Sequence, residues 1–567
     1  MISLTMPHQA APGNFAASPD DDLNCLVVQP KFSMNNYWNF GTTLKTIGAK
    51  TAAPPLGLLT VAAMLPESWS ISLVDLNVRE ITDREWEEAD VICVGGMIAQ
   101  QAGILAIVER ARQSGKYVVV GGPDPTSQPQ IYSGADALVL GEGEVTIPLW
   151  LESWRNGESN GVFESAKKPD VTNSPTPRFD LIEFRHYLYV GTQLSRGCPF
   201  NCEFCDIIEL YGRVPRVKSS EQFLAELNLL YDLGHRGWVD ISDDNFIGNK
   251  PKIKKLLVEL AAWSKERNYP FYFSTEASMN LADDPEMLDL MRAVDFRHIF
   301  MGIETPDPDL LALTQKRVNS MKPIVERIHA IYEYGISISA GFILGFDQEK
   351  PGNDKAMIAC IEDTGIVAAM VGLLTALPNT QLTRRLMAEK RLISSDHQLV
   401  EDESAVYELI NENDLDQTVG GLNFVTSRDR VEIYKEFRNV IDSTYSAQNY
   451  MDRVLATTRL LNPQRLHLGS WFEAKRMLRG YFGIAFRLTF KRSTCRLYWR
   501  NSILTFLMGP AKFEYAHGLM ASFLHFEQQS QHIRDSIDVA IDFATNHATY
   551  PRQVSDLPDT ESGSKAA

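Results

Sequence analysis

The sequence predicts an α/β protein made of two successive parallel-sheet units followed by a mostly helical one. Three observations carry this. Short Val/Ile/Leu-rich runs alternate with helix-length amphipathic segments from residue 23 to about 154, and again from 192 to 377. A polar stretch from Asn156 to Asp180, with Pro169, Pro175 and Pro177, separates the two series. Beyond about Arg430 the strand signal disappears. Uninterrupted apolar strands between helices mark a parallel sheet covered on both faces.

In the first series the expected strands are Cys25–Val28, Ile71–Val74, Val91–Val94, Tyr117–Val120 and Ala137–Leu140. Between them, Leu56–Leu65, Ile98–Gln113 and Val145–Trp154 carry apolar residues at three- and four-residue spacing, as helices do. The second series gives strands Thr192–Ser195, Trp238–Ser242, Tyr272–Thr275, His298–Ile303, Ser337–Leu344 and Leu373–Leu377, each separated by a helix-length segment. Six β/α units without a seventh or eighth suggest a partial (β/α)6 TIM-type barrel, with chemistry at the strand C-terminal ends. The expected division is a disordered lead-in (1–22), a first sheet domain (23–155), a linker (156–185), the barrel (186–390), a helical domain (391–553) and a disordered tail (554–567).

Size and composition narrow the function. At 567 residues the chain is too long for one core. With 44% hydrophobic and 22% charged residues it is an ordinary globular protein, neither disordered nor fibrous. A formal charge of -17 speaks against a nucleic-acid partner. The longest apolar run, Gly365 to Leu377, is too short to span a bilayer, and no basic-then-apolar start indicates a signal peptide. Seven cysteines suit a reducing cytoplasm rather than a disulfide scaffold.

Three of those cysteines, Cys198, Cys202 and Cys205, fall in a C-x3-C-x2-C cluster just after a predicted strand. Clustered thiolates are soft ligands for zinc or iron–sulfur centres. Structural zinc wants four ligands, and the remaining cysteines, Cys25, Cys93, Cys360 and Cys495, are scattered singly. Three thiolates on a four-iron cubane leave one iron open, which is a catalytic arrangement.

The cluster, with Phe204 before its last Cys, closely resembles the radical S-adenosylmethionine (SAM) superfamily. Later landmarks of that family follow in order: Asp243-Asp244-Asn245-Phe246, Gly302-Ile303-Glu304-Thr305, Gly341-Phe342-Ile343-Leu344-Gly345 and Leu377-Pro378-Asn379-Thr380. The resemblance implies a [4Fe–4S] cluster on Cys198, Cys202 and Cys205, whose open iron chelates SAM and whose electron cleaves it to a 5′-deoxyadenosyl radical. It also implies SAM contacts at Phe204, Asp243, Asp244, Asn245, Glu304, Gly341, Ile343, Gly345 and Arg213, and an electron donor such as flavodoxin or ferredoxin. Arg213, Arg216 and Lys218 place positive charge beside the cluster; they either hold a carboxylate or phosphate or pair with acidic neighbours.

The first domain has glycine-rich loops after its strands but no G-x-G-x-x-G, so a nicotinamide or flavin has little support. The loops Pro54-Pro55-Leu56-Gly57-Leu58-Leu59, Gly121-Gly122-Pro123 and Gly141-Glu142-Gly143-Glu144 resemble the Rossmann-like cobalamin domain of class B radical SAM enzymes. That resemblance implies cobalamin contacts at Pro55, Gly57, Leu58, Asp75, Asn77, Arg79, Gly121, Gly122, Pro123, Gly141, Glu142, Gly143 and Glu144. The usual D-x-H-x-x-G motif is replaced by Asp75-Leu76-Asn77-Val78-Arg79-Glu80, so methylcobalamin would have no protein His below it; Asn77 and Arg79 are the candidates for that face.

The text Asp206 to Lys218 and the helical C-terminus are similar to the branch that includes the hopanoid C-2 methylases. The implied function is radical C-methylation of an unactivated carbon in an apolar or polycyclic small molecule, hopanoid-like first. A cobalamin-dependent radical cyclase or rearrangement enzyme is the alternative, and a cobalamin sensor the non-enzymatic one. Eight basic residues and no acidic ones between Lys475 and Arg500, interleaved with aromatics, suggest peripheral contact with the inner membrane face, or packing on the acidic body of the same chain.

Overall fold

A computed structural model of the chain describes residues 15–32, 36–38, 40–319, 321–394, 398–400, 420–464, 471–547 and 551–557. Its first sheet has six strands: β1 (Asn24–Gln29), β2 (Ser70–Asp75), β3 (Val91–Gly95), β4 (Tyr117–Gly121), β5 (Ala137–Leu140) and β6 (Gly161–Glu164). They pair in the order β2-β1-β3-β4-β5-β6, every neighbour parallel. Alternate residues face opposite sides of a strand. Leu26 and Val28 therefore enter one core with Trp86 and Ile104, while Cys25 and Val27 enter another with Trp150 and Trp154. The strand order reverses between β1 and β3, and a crevice at such a point is where open parallel sheets bind ligands.

The second sheet consists of β7 (Val190–Thr192), β10 (Gly237–Ile241), β11 (Phe271–Glu276), β12 (Phe296–Glu304), β13 (Ser337–Leu344) and β14 (Ala368–Leu373), ordered β14-β13-β12-β11-β10-β7 and parallel throughout. Its end strands do not pair, so the barrel is partial. Two short strands, β8 (Ser195–Arg196) and β9 (Arg216–Val217), form a separate antiparallel ladder.

Helices Arg430–Thr444, Ala447–Leu460, Trp471–Thr489, Cys495–Leu507 and Pro510–Asn546 follow. Phe437, Tyr450, Ile484 and Phe526 share one hydrophobic core with Ile299, Ile338 and Val371 of the barrel, so the helical region is built onto the barrel. Among the described residues no helix is long and apolar enough to cross a membrane.

Four expectations need correction. The sixth strand, Gly161–Glu164, lies in the stretch read as linker; its residues alternate between intermediate and exposed, which left no apolar run to detect. The last barrel strand is Ala368–Leu373, not Leu373–Leu377, because the apolar text runs unbroken through strand and following turn. Part of the expected disordered lead-in is ordered: Phe15 stacks on Tyr117 at 4.9 Å, and Ala17 accepts a hydrogen bond from Trp154. The expected disordered tail also begins ordered: Val554–Asp556 is a short 3-10 helix, and Val554 N donates to Thr426 O (2.9 Å). Residues 1–14 and 558–567 lie outside the described residues.

Candidate active site

The β8–β9 ladder frames the cysteine loop, and the end of β10 holds it in place. Asp243 accepts hydrogen bonds from Leu194 N (2.8 Å), Ser195 N (2.9 Å) and Ser195 Oγ (2.6 Å). Asp244 accepts from Gly197 N (2.7 Å), and Asn245 Nδ2 points at Cys198 Sγ (3.9 Å). Gly197 adopts φ +94°, where a Cβ would lie 2.9 Å from Gly212 O, so glycine is needed for this turn. Burial pushes the Asp243 carboxyl up to about 7 and Asp244 up to about 6.

Burial likewise raises the pKa of all three thiols, and Lys316 opposes it at each. Burial would discharge Lys316; Glu304, with which it forms an ion pair, and the nearby thiols outweigh this and keep its pKa above the usual. A buried cation beside three soft ligands fits an anionic thiolate-bound iron–sulfur cluster. Among the described residues no three His, Cys, Asp or Glu converge as a single-ion site requires. A cubane makes no such demand, since each thiolate binds a different iron.

One cavity of about 1680 Å³ runs from the C-terminal ends of the first sheet into the barrel and on between the helices. Among the residues expected at cobalamin, Pro55, Gly57, Leu58, Asn77, Gly121, Gly122, Pro123, Gly141, Glu142, Gly143 and Glu144 border it. A Cβ on Gly57 would meet no atom within 4 Å, so the wall there is open, as a flat macrocycle requires. Asp75 and Arg79 do not border the cavity. Asp75 is tied down by Asn77 N (2.8 Å) and Tyr187 Oη (3.3 Å), and Arg79 turns outward to Glu85 (2.5 Å). Asn77 borders the cavity with its amide committed to Phe32 N, Pro30 O and Asp75.

The acidic loop after β5 does more than line a pocket. Glu142 pairs with Arg196 (2.9 Å) and Arg216 (2.8 Å), and Glu144 pairs with Arg196 (2.8 Å). These pairs clasp the first domain to the cysteine loop, which settles the use of Arg216. Lys218 pairs with Glu226 (2.5 Å). Arg213 is exposed and, among the described residues, donates only to Pro199 O (3.3 Å), away from the cavity.

Of the expected SAM contacts, Asp243 and Asp244 border the cavity; Phe204, Asn245, Glu304, Gly341, Ile343 and Gly345 do not. Phe204 packs against Phe346 (5.9 Å). Gly345 has no open space, since a Cβ there would lie 2.5 Å from Leu422 Cδ2. Leu422 lies in the segment ahead of the helix Arg430–Thr444, whose packing on the barrel no local motif discloses.

Sequence reasoning missed the barrel's polar inner wall. Asp240 accepts from Ser242 Oγ (2.8 Å) and from Ser274 Oγ, which in turn accepts from Trp238 Nε1 (2.6 Å). His298 bridges Ser337 (3.0 Å) and Ser339 (2.9 Å); burial lowers its pKa to about 4, so it is neutral. Glu276 opens onto the cavity with no hydrogen bond or ion pair among the described residues, and the protein packed around it, then Asp240, raise its pKa to about 8. Strict period-2 placement on β10 to β13 was the available signal.

A cobalamin-type sheet facing a partial barrel, with a three-cysteine loop at their junction, defines a radical SAM enzyme with a second cofactor domain. Comparison with known proteins agrees. Residues 45–150 match the model of the B12 binding domain, 192–358 that of the radical SAM superfamily, and 380–539 a domain of unknown function, DUF4070. The chain is 40% identical over 517 residues to an uncharacterized methyltransferase of Synechocystis sp., covering 91% of this chain and 93% of that one. It is 40% identical over 348 residues to the hopanoid C-2 methylase of Rhodopseudomonas palustris, covering 61% and 66%. The solved structure of the cobalamin-dependent SAM radical enzyme OxsB, with aqua-cobalamin bound, shares the fold (TM-score 0.56, 16% identity, 93% of this chain and 85% of that one). The chain belongs to the cobalamin-dependent radical SAM methyltransferase family, whose domains imply a [4Fe–4S] cluster, SAM and cobalamin.

Proposed function

We propose that this enzyme methylates an unactivated carbon of an apolar, polycyclic small molecule, hopanoid-like in its ring system. The observation that carries the reading is the single cavity of about 1680 Å³, which joins the glycine loops of the first sheet, the mouth of the barrel and an apolar helical vestibule. It exceeds the roughly 300–1,000 Å³ of an ordinary ligand site. The 40% identity to a hopanoid C-2 methylase supports the ring system.

When bound, the cluster with SAM supplies a radical that removes a hydrogen atom, and methylcobalamin supplies the methyl group. Cys198, Cys202 and Cys205 would hold the cluster, with Lys316 compensating its charge. Asp243, Asp244 and Asn245 orient the loop that carries those thiols. Gly57, where a Cβ would meet no atom, leaves the wall clear for the corrin, and Gly121, Gly122 and Gly141, the first two packed tightly on neighbouring backbone, border the same cavity. No histidine occurs between residues 23 and 155, which supports cobalamin without a protein imidazole. Glu276, Asp240 and His298 give the barrel wall hydrogen-bonding groups for a polar end of the substrate, and apolar walls exclude water from the remainder.

A separate flavodoxin or ferredoxin would reduce the cluster, and the enzyme would work in the cytoplasm with peripheral membrane contact. The test is anaerobic reconstitution with cobalamin and a hopanoid extract, followed by mass spectrometry. A product heavier by one methylene, absent in the Cys198→Ala, Cys202→Ala, Cys205→Ala variant, is expected. Turnover of SAM with a rearranged, unmethylated product would favour the cyclase reading.

A further inference from the structure

Twenty-three large apolar side chains are exposed on the described surface, and ten of them lie between Trp471 and Leu507. They form two lines. Along the helix Trp471–Thr489, Leu478, Phe482 and Phe486 recur every fourth residue, and Phe490 extends the line; their exposures are 58%, 62%, 65% and 76%. On the helix Cys495–Leu507, Trp499, Ile503, Phe506 and Leu507 fall on one face. The opposite faces are anchored: Ile484, Leu488 and Tyr498 are buried in the core shared with the barrel. Gly480 and Gly483 sit against Ile47 and Thr46, so the first helix is held close to the body. Packing on the acidic body therefore explains one face of each helix and leaves the other apolar and bare. Patches of this extent mark interaction sites.

The charge around the patch says what covers it. Between Ala474 and Phe513 the sequence has nine Lys or Arg and no Asp or Glu, in a chain of net charge -17. Arg487, Arg492 and Arg496 are exposed and form no ion pair among the described residues. The patch is also continuous with the cavity, because Met477 and Leu478 are partly exposed to solvent and line it together with Ala474, Tyr481 and Ile484.

We propose that these two helices form a docking face for an anionic lipid leaflet, with the cavity mouth at Met477 and Leu478 held against it. Aromatic and aliphatic side chains enter the acyl boundary while the unpaired arginines meet the headgroups. A substrate dissolved in the leaflet then reaches the barrel without crossing water. The substrate route rests on the lipid reading given above; the docking itself does not.

The experiment is co-sedimentation of the full-length holoenzyme with vesicles of phosphatidylcholine alone or mixed with phosphatidylglycerol, at low and high salt. Wild type is expected to bind the anionic vesicles and to be weakened by salt. Arg487→Glu, Arg492→Glu, Arg496→Glu together should weaken that binding about tenfold or more. Phe482→Ser, Phe486→Ser, Phe490→Ser should weaken it at both salt concentrations. All six positions are exposed, so both variants should keep wild-type deoxyadenosine formation in detergent-free buffer. Brominated lipids should quench Trp471 and Trp499, an effect lost in Trp471→Phe, Trp499→Phe. Equal binding by wild type and both variants, or no binding by any, overturns the proposal. So does a wild-type dimer that the Ser variant dissociates without any vesicle binding, which would make the face a contact between two copies. Vesicle binding without methylation would leave docking standing and remove the substrate reading alone.

Discussion

Arg196, two residues ahead of the first cluster cysteine, donates to Glu142 of the first domain across 2.9 Å, and both side chains are nearly closed to solvent. Glu142 also receives Arg216, and Arg196 also holds Glu144, so one buried ionic network joins the loops of the two sheets. Two reactive cofactors on different domains must be kept in register for atom-scale chemistry. This network ties together the two loops that would carry them.

Replacing Arg196 with Ala leaves Glu142 and Glu144 short of a buried partner. Removing one member of a buried pair costs about 3–5 kcal/mol. The expected outcome is a lower Tm together with reduced cluster content and reduced cobalamin content. Loss of one cofactor alone would contradict the clasp.

Lys316→Met strands the Glu304 carboxylate, with the same cost of about 3–5 kcal/mol. It also removes the cation beside the cysteine loop, which should shift the cluster midpoint negative by on the order of tens of millivolts. Lys316→Met with Glu304→Gln should recover most of the stability and keep the potential shift. Chemical denaturation and an EPR-monitored redox titration read the two effects separately.

Gly57→Phe projects into open cavity, since no atom lies within 4 Å of a Cβ at that position. Its expected effect is loss of bound cobalamin, measured by visible absorbance per chain, with an unchanged Tm. A fall in Tm with normal cobalamin would place the corrin elsewhere.

Glu276 has its pKa raised to about 8, so it is neutral at pH 7 and ionises as pH rises through 8. If the neutral carboxyl donates a hydrogen bond to substrate, kcat/KM should fall on the alkaline side with an apparent pKa near 8. Glu276→Gln, which donates at every pH, should flatten that limb. The same raised pKa means the folded state holds a proton that the unfolded chain has released, so this group's contribution to stability is greatest at low pH and is lost as pH rises toward 8.

Much of this was legible because fully buried parallel strands are written as continuous Val/Ile/Leu runs; Ala137–Leu140 and Ser337–Leu344 were placed to the residue. Gly161–Glu164 was missed because an edge strand with one exposed face has no such run. The cysteine loop could be read locally, since three ligands within eight residues need no tertiary knowledge. The roles of Glu142, Arg216 and Arg79 could not, because a charged side chain takes its partner from a distant segment: Glu142 and Arg196 are 54 positions apart. Cys25 and Cys93, scattered in sequence, have their sulfurs 3.6 Å apart because β1 and β3 are neighbours.

The central claim is that one cavity unites radical formation with methyl donation. Its most direct test is to quantify, in one anaerobic reaction, 5′-deoxyadenosine, S-adenosylhomocysteine and methylated substrate. Equal amounts of the three are expected with cobalamin bound, and deoxyadenosine without the other two once cobalamin is removed. Substrate-dependent deoxyadenosine without S-adenosylhomocysteine in the cobalamin-loaded enzyme would contradict methyl transfer.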